Sequence, residues 1–184
     1  DSPRIILNKY NDIKMIDTLD EKIDHLEKIG IDHLVIHPFD KKFSLLSADQ
    51  FIKEYLVDKL KLKHIIIGYD HRFGKGREAS VTDLKEYSRE FNFVVDEIDA
   101  QEIEKIAISS TKIRKSINEG NLKTTKLYLG RFFCLTGKVV KGDGLGKQIN
   151  YPTANILIKE DYKIIPKDGV YYIKTEVDNK LYNG

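Results

Sequence analysis

The run Ile65-Ile66-Ile67, closed by Gly68, constrains the fold more than any other feature of the chain. Three consecutive β-branched residues bounded by glycine read as a short strand buried on both faces, which is a habit of parallel sheets. A loop carrying Asp70, His71, Arg72, Gly74, Lys75, Gly76 and Arg77 follows, and Ser80 then reads as a helix N-cap with Asp83 in the first turn. A buried strand that opens through a basic, glycine-rich loop into a helix start is where open α/β sheets bind ligands. Glycines let backbone approach the ligand, while the helix end and the arginines favour an anion. An ordinary strand-to-helix connection with solvated charges is the competing reading, because glycine-rich loops are weakly specific.

The flanking sequence supports an α/β fold. Residues 1–16 give only Ile5-Ile6-Leu7 as an edge strand or ordered arm. Thr18-Leu-Asp-Glu21 is a capping box, and Leu19, Ile23, Leu26 and Ile29 recur at helical spacing up to Gly30. Residues 32–37 (DHLVIH) predict a strand. Ser47-Ala-Asp-Gln50 is a second capping box, opening a helix through Leu60 with Phe51, Tyr55, Leu56 and Leu60 inward. After the 65–67 strand come a helix over 80–91, a strand over 92–98, a helix capped by Ser110 that ends at Gly120, and a helix from Asn121 to Gly130. Strands alternating with helices of this length predict βαβ units on a parallel sheet. From Arg131 onward the helical period disappears and glycines, turn residues and alternating strand-like runs take over. The sequence therefore divides into 1–125, a linker at 126–131, and a β-rich segment at 132–184 that is too short for a closed barrel.

Composition removes several functional classes. The 184 residues are 33% charged, yet the signs cancel to a net +2, which is a poor match to the one-sided basic field of a nucleic-acid binder. No apolar run approaches a membrane span, and no signal peptide is visible. With one cysteine, Cys134, an internal disulfide is impossible, and a reducing cytoplasm is the expected setting. His33 and His37 lie four apart with no third ligand near in sequence, so a core or sheet-end role is favoured over a metal. Lys59 to Lys63 reads as a solvated helix end.

Two further constellations could carry chemistry. In Ile108-Ser-Ser-Thr-Lys-Ile-Arg114, hydroxyls and free backbone amides gather at a helix start, with Arg114 one turn inside. That combination suits a polyphosphate, each charge-assisted contact being worth about 1.5–3 kcal/mol. A plain N-cap on an amphipathic helix is the alternative. In Gly137 to Asn155, Lys138, Lys141 and Lys147 are interleaved with glycines, and Pro152 stiffens the entry to Thr153-Ala-Asn155. If those residues form a strand, Thr153 and Asn155 face one side, where a hydroxyl and an amide oxygen could ligate a hard cation. A β-hairpin with a basic tip accounts for the same residues.

Together and in this order, the three motifs resemble the bacterial bifunctional riboflavin kinase/FMN adenylyltransferase family, also called FAD synthetase. Gly68-Tyr-Asp-His-Arg-Phe-Gly74 with Arg77 is similar to its flavin-side motif, and Ser109-Ser-Thr-Lys-Ile-Arg114 to its ATP-phosphate motif. Gly142 to Asn155, with Pro152-Thr-Ala-Asn155 and then Asp168-Gly-Val-Tyr171, is similar to its kinase signature. The resemblance covers essentially the whole chain. It implies a nucleotidyltransferase-type, Rossmann-like parallel sheet with helices, followed by part of a six-stranded β-barrel. It implies Mg²⁺-dependent phosphorylation of riboflavin by ATP to FMN, and adenylylation of FMN to FAD.

By the same resemblance, Asp70 and Arg72 would contact the flavin. Ser109, Ser110, Thr111 and Arg114 would hold the ATP phosphates. Gly142 and Gly146 would shape the kinase phosphate loop, and Thr153 and Asn155 would hold Mg²⁺ and ATP there. The family's GxFDGxHxGH loop would precede residue 1 and its glutamate base would follow Gly184. The catalytic residues are thus expected outside 1–184, and this chain alone is expected to turn over neither substrate well. Ala79 and Asn150 stand where the family usually or often has glycine. A monofunctional adenylyltransferase and a non-catalytic flavin- or nucleotide-binding module are the alternatives.

Overall fold

The computed structural model of the chain describes residues 13–98 and 108–184, apart from 143, 149, 151, 152 and 179. The expected strand or arm at Ile5-Ile6-Leu7 and the expected stiffening by Pro152 lie outside those residues. The described chain packs as two compact units, 35–98 and a second one drawn from 13–34 together with 108–184. These units divide the chain differently from the sequence modules, because residues 13–34 and 108–125 pack with the C-terminal residues.

In the first unit, the strand at 65–67 forms but is not buried on both faces: Ile67 is buried, whereas Ile66 on the opposite face is 66% exposed, since nothing among the described residues covers that side of the two-stranded sheet. β1 (His64–Gly68) pairs in parallel with β2 (Val94–Ile98), and α3 (Val81–Phe91) crosses between them. Ile67, Val81, Leu84 and Phe93 make the core with Ile52, which is fully buried. Ile52 lies in the second predicted helix, whose Ser47/Gln50 capping box is present with both hydrogen bonds. α2 (Ala48–Gln50) continues, however, as a π-helix over Phe51–Lys59. The wider i→i+5 winding changes which side chains face inward. Leu60, expected inside, is 48% exposed, and Ile52 takes the buried position. Phe43, Phe51, Tyr55 and His37 form an aromatic cluster beside it, with the His37 and Phe43 rings stacked at 4.4 Å.

The strand predicted at 32–37 is not formed. Leu34, Val35 and Ile36 are exposed, and the segment has no ladder partner among the described residues. A β-favouring sequence becomes a strand only when a neighbour takes its hydrogen bonds. His33 and His37 accordingly do not share a strand face.

In the second unit, α1 (Leu19–Ile29) has the predicted Thr18/Glu21 capping box and a left-handed Gly30 at its C-terminus. Its predicted apolar stripe is only partly buried: Ile23 and Leu26 are half-buried, but the two ends of the stripe are not. Leu19 is 48% and Ile29 76% exposed, whereas Glu21 is buried. Glu21 pairs with Lys163, whose side chain is 0% exposed and whose Nζ also donates to the Ile16 carbonyl at 2.6 Å. The second Glu21 oxygen accepts the Thr136 N–H at 3.0 Å. Beside this, Arg131 donates to both Asp17 carboxylate oxygens at 2.7 and 2.6 Å. A bridge between Met15 and Lys163 completes the clasp that ties 15–21 to 131–164.

α4 (Ser110–Asn118) and α5 (Leu122–Leu129) follow each other closely and are joined by a buried Ser116–Thr125 hydroxyl pair at 2.8 Å. Ile113, Ile117 and Ile164 form their core. Beyond residue 131 the expected strand character is only partly realised. β3 (Lys138–Val140) pairs antiparallel with β4 (Asn155–Leu157), and β5 (Lys174–Val177) with β6 (Lys180–Asn183). These are two separate ribbons, and no closed barrel is formed among the described residues. Residues 132–137 are not a strand, and a single helical turn, α6 (Leu145–Gln148), occupies the glycine-rich loop. One turn is too short to leave a period in the sequence.

Candidate functional site

The loop after β1 is built by its own backbone. His71 N–H returns to the Gly68 carbonyl at 3.0 Å, and Phe73 and Ala79 exchange hydrogen bonds of 3.1 and 3.2 Å as an isolated bridge. The bridge folds the loop on itself and leaves Asp70 and Arg72 exposed to solvent. Gly74 is required here. Its φ is +75°, and a Cβ would stand 2.9 Å from the Ala48 nitrogen. Ala79, the departure from the family glycine, is buried and is not among the residues with positive φ, so its methyl group is accommodated. Ser80 caps α3 as expected, its N–H and its hydroxyl both donating to Asp83, at 2.7 and 2.6 Å. The hydrogen bonds from Ser80 hold the Asp83 carboxyl below the usual carboxylate range, with Arg72 adding a smaller electrostatic pull. The capping hydroxyl is thereby engaged by Asp83.

The second constellation differs from expectation by one residue. Ser109, with extended φ and ψ, is the N-cap of α4 and accepts the Lys112 N–H at 3.3 Å, whereas Ser110 is already helical. Ser109, Ser110 and Thr111 are exposed. Arg114 is half-buried, with one guanidinium nitrogen 3.4 Å from the Thr111 hydroxyl. The structure thus brings Thr111 and Arg114 together on the first turn. Arg114 is next to Ile113, and the core beneath α4 fixes which face of the helix it occupies.

In the third constellation β4 begins at Asn155, so Thr153 lies outside the ladder and the strand alternation that would align the two side chains does not extend to it. The structure instead brings Gly142 against Asn155, because a Cβ at Gly142 would collide with the Asn155 amide. The pairing of Val140 with Asn155 produces this contact. Spacing along the sequence gave no sign of it. Thr153 and Asn155 are exposed, and Gly146 sits in α6. Neutral oxygens such as these suit Mg²⁺ when phosphate supplies the anionic ligands. Among the described residues no cluster of three His, Cys, Asp or Glu side chains could hold a metal ion by itself. The Gly142–Asn155 cradle, with a hydroxyl two residues earlier, fits a metal–nucleotide better than a bare cation.

The first two constellations lie in different compact units, and the second and third share one. Comparison with known proteins identifies the family. A family model described as FAD synthetase matches residues 1–112, and one described as riboflavin kinase matches 129–184. A Listeria monocytogenes protein named bifunctional riboflavin kinase/FMN adenylyltransferase is 37% identical over 183 residues, which is 99% of this chain and 57% of that protein. A protein of the same name from Buchnera aphidicola (subsp. Schizaphis graminum) is 39% identical over 173 residues, covering 94% and 55%. The Escherichia coli K12 protein of that name is 35% identical over 156 residues, covering 85% and 49%. The chain therefore spans about half the length of the curated relatives it matches. A solved structure described as a macrolide-efflux protein from Streptococcus pneumoniae superposes with a TM-score of 0.82 at 32% identity, covering 99% of this chain and 59% of that one. That description names efflux, whereas the curated relatives are named for flavin-nucleotide synthesis. No helix among the described residues is long and apolar enough to cross a membrane.

Proposed function

The chain belongs to the FAD synthetase family, and from that premise we propose that the protein of which it forms part converts riboflavin to FMN with ATP and then joins FMN to the AMP part of ATP. The observation that carries this reading is the succession of both family models along one chain, over 1–112 and 129–184. We assign 1–125 to adenylyl transfer, 126–131 to a linker and 132–184 to the kinase. The supporting geometry is local: a self-closed basic loop after β1, an α4 start with Arg114 beside Thr111, and the Gly142–Asn155 cradle.

Both steps are in-line attacks of an oxygen on phosphorus, in which positioning and charge neutralisation supply most of the rate. Asp70 and Arg72 orient the flavin. Ser109, Ser110, Thr111 and Arg114 bind the phosphates of the adenylyl donor, with the guanidinium meeting charge as it develops. Gly142 and Gly146 let the kinase loop approach the nucleotide, and Thr153 and Asn155 would hold Mg²⁺ and ATP. When bound, Mg²⁺ supplies charge neutralisation on the phosphates. A reducing cytoplasm is the proposed setting. Replacing Thr153 by Ala in the full-length protein should abolish FMN formation and spare FAD formation from supplied FMN. Equal loss of both products would refute the division of labour.

A further inference from the structure

A groove of about 690 Å³ lies in the second unit between α5 and the segment 165–174, and of the motif residues named above only Asp168, Gly169 and Tyr171 line it. Its volume falls within the range of roughly 300–1,000 Å³ usual for small-molecule sites. Phe132, Phe133, Tyr171 and Tyr172 supply aromatic walls, and Leu135 and Ile173 extend them. The chain fixes two of the rings: Tyr171 donates its hydroxyl to the Lys167 carbonyl, and Tyr172 donates to the Asn183 side-chain oxygen at 2.9 Å. Lys123, Lys126, Lys167 and Lys174 line the same groove, against a single carboxylate, Asp168. None of these four ammonium groups has an ion-pair partner among the described residues, although Lys126 lies 4.1 Å over the Phe132 ring.

Aromatic faces alone would suit any flat apolar molecule. Unpaired lysines around them select one that carries negative charge, since a phosphate holds nearly two charges at neutral pH and stacks nothing itself. We infer that this groove is a binding site for a planar aromatic ring bearing a phosphate, and specifically for FMN. The choice of FMN rests on the proposed function, in which FMN is both the product of one reaction and the substrate of the other. Its three-ring system offers these aromatic side chains more stacking area than a purine does. None of the groove's lining residues belongs to the Asp70–Arg72 loop or to the Gly142–Asn155 cradle.

The test is a flavin-fluorescence titration of the 184-residue chain carrying Arg72→Ala, which weakens the flavin loop of the proposed function. FMN should still quench on binding, with riboflavin at least about tenfold weaker because it lacks the charge-assisted contacts. Adding Lys123→Glu and Lys167→Glu should bring FMN down to the affinity of riboflavin, while Lys123→Gln with Lys167→Gln should give an intermediate loss. Tyr172→Ala should weaken both flavins. Thermal melting by circular dichroism identifies any variant that fails to fold, and the Gln pair provides the second measurement. Equal affinity for FMN and riboflavin, unchanged FMN affinity after charge reversal, no flavin binding to the Arg72→Ala chain, or displacement by AMP at FMN-like concentration would each overturn the inference. None of these outcomes bears on the Thr153→Ala experiment, whose failure would instead strike the functional reading itself.

Discussion

The Glu21–Lys163 pair gives the sharpest test of what holds the second unit together. Both side chains are buried, and together they collect four further contacts: Thr18 N–H and Thr136 N–H on the carboxylate, and the Ile16 carbonyl and the Phe133 ring on the ammonium. Breaking a buried pair by removing one partner costs about 3–5 kcal/mol, because the other charge stays behind. The two truncations are not equivalent. After Lys163→Met, Glu21 keeps two backbone N–H donors, so the loss should sit near the lower end, about 3 kcal/mol. After Glu21→Ala, the two amides lose their acceptor and the ammonium retains one carbonyl, so the loss should be about 5 kcal/mol or more. The double replacement Glu21→Ala/Lys163→Met removes both charges and should cost less than the sum of its parts. Urea unfolding of the 184-residue chain, read by circular dichroism, gives all three numbers. A Lys163→Met chain within about 1 kcal/mol of wild type, or Glu21→Ala milder than Lys163→Met, would refute the argument that burial of this pair governs the clasp.

Other outcomes are equally specific. Ser80→Ala should raise the Asp83 carboxyl toward its ordinary value in an NMR titration. Because the folded-state pKa is the depressed one, the stabilisation it carries is present above the unfolded value and lost as pH falls through the folded value. The variant should therefore lose less stability on acidification, and an unmoved Asp83 titration would count against the Ser80 hydrogen bonds as the cause. Gly142→Ala should force the Asn155 amide from its place and, in the full-length protein, depress FMN formation while leaving FAD formation from supplied FMN intact; loss of both would point to general misfolding. Arg114→Ala in the full-length protein should slow FAD formation by about 10–100-fold, the value of one charge-assisted phosphate contact, with FMN formation unchanged. A smaller effect than fivefold would place the guanidinium off the phosphates.

What was legible in the sequence was what neighbours in the chain decide. The three capping boxes at Thr18, Ser47 and Ser80 were readable because their partners lie three residues away. Ile65 to Ile67 was readable as a strand because β-branched residues beside glycine leave few options, but the exposure of Ile66 was not. What was not legible depends on distant partners. Glu21 looked like a capping residue and nothing more, since its ion-pair partner is 142 residues off. Leu19 and Ile29 end a helical stripe that the second unit buries only in part, because the carboxylate took the inward position. The strand expected at 32–37 failed for want of a paired edge, and the π-winding after Gln50 shifted the buried position to Ile52, which a 3.6-residue period does not pick out. At the candidate sites, residue types were readable, but the Gly142–Asn155 contact and the aromatic-lysine groove appear only once antiparallel pairing and helix packing place them.

The clasp also sets a schedule for synthesis. Glu21 leaves the ribosome long before Lys163 exists, and at a synthesis rate of about 5–20 residues per second the wait is roughly 7–30 s. Throughout that interval Glu21 lacks its ion-pair partner, while the intervening residues can already collapse around Ile52 and Leu84. The first unit can thus mature early, and the second waits for the last part of the chain to emerge, the slow order expected when the decisive contacts join distant parts of the sequence.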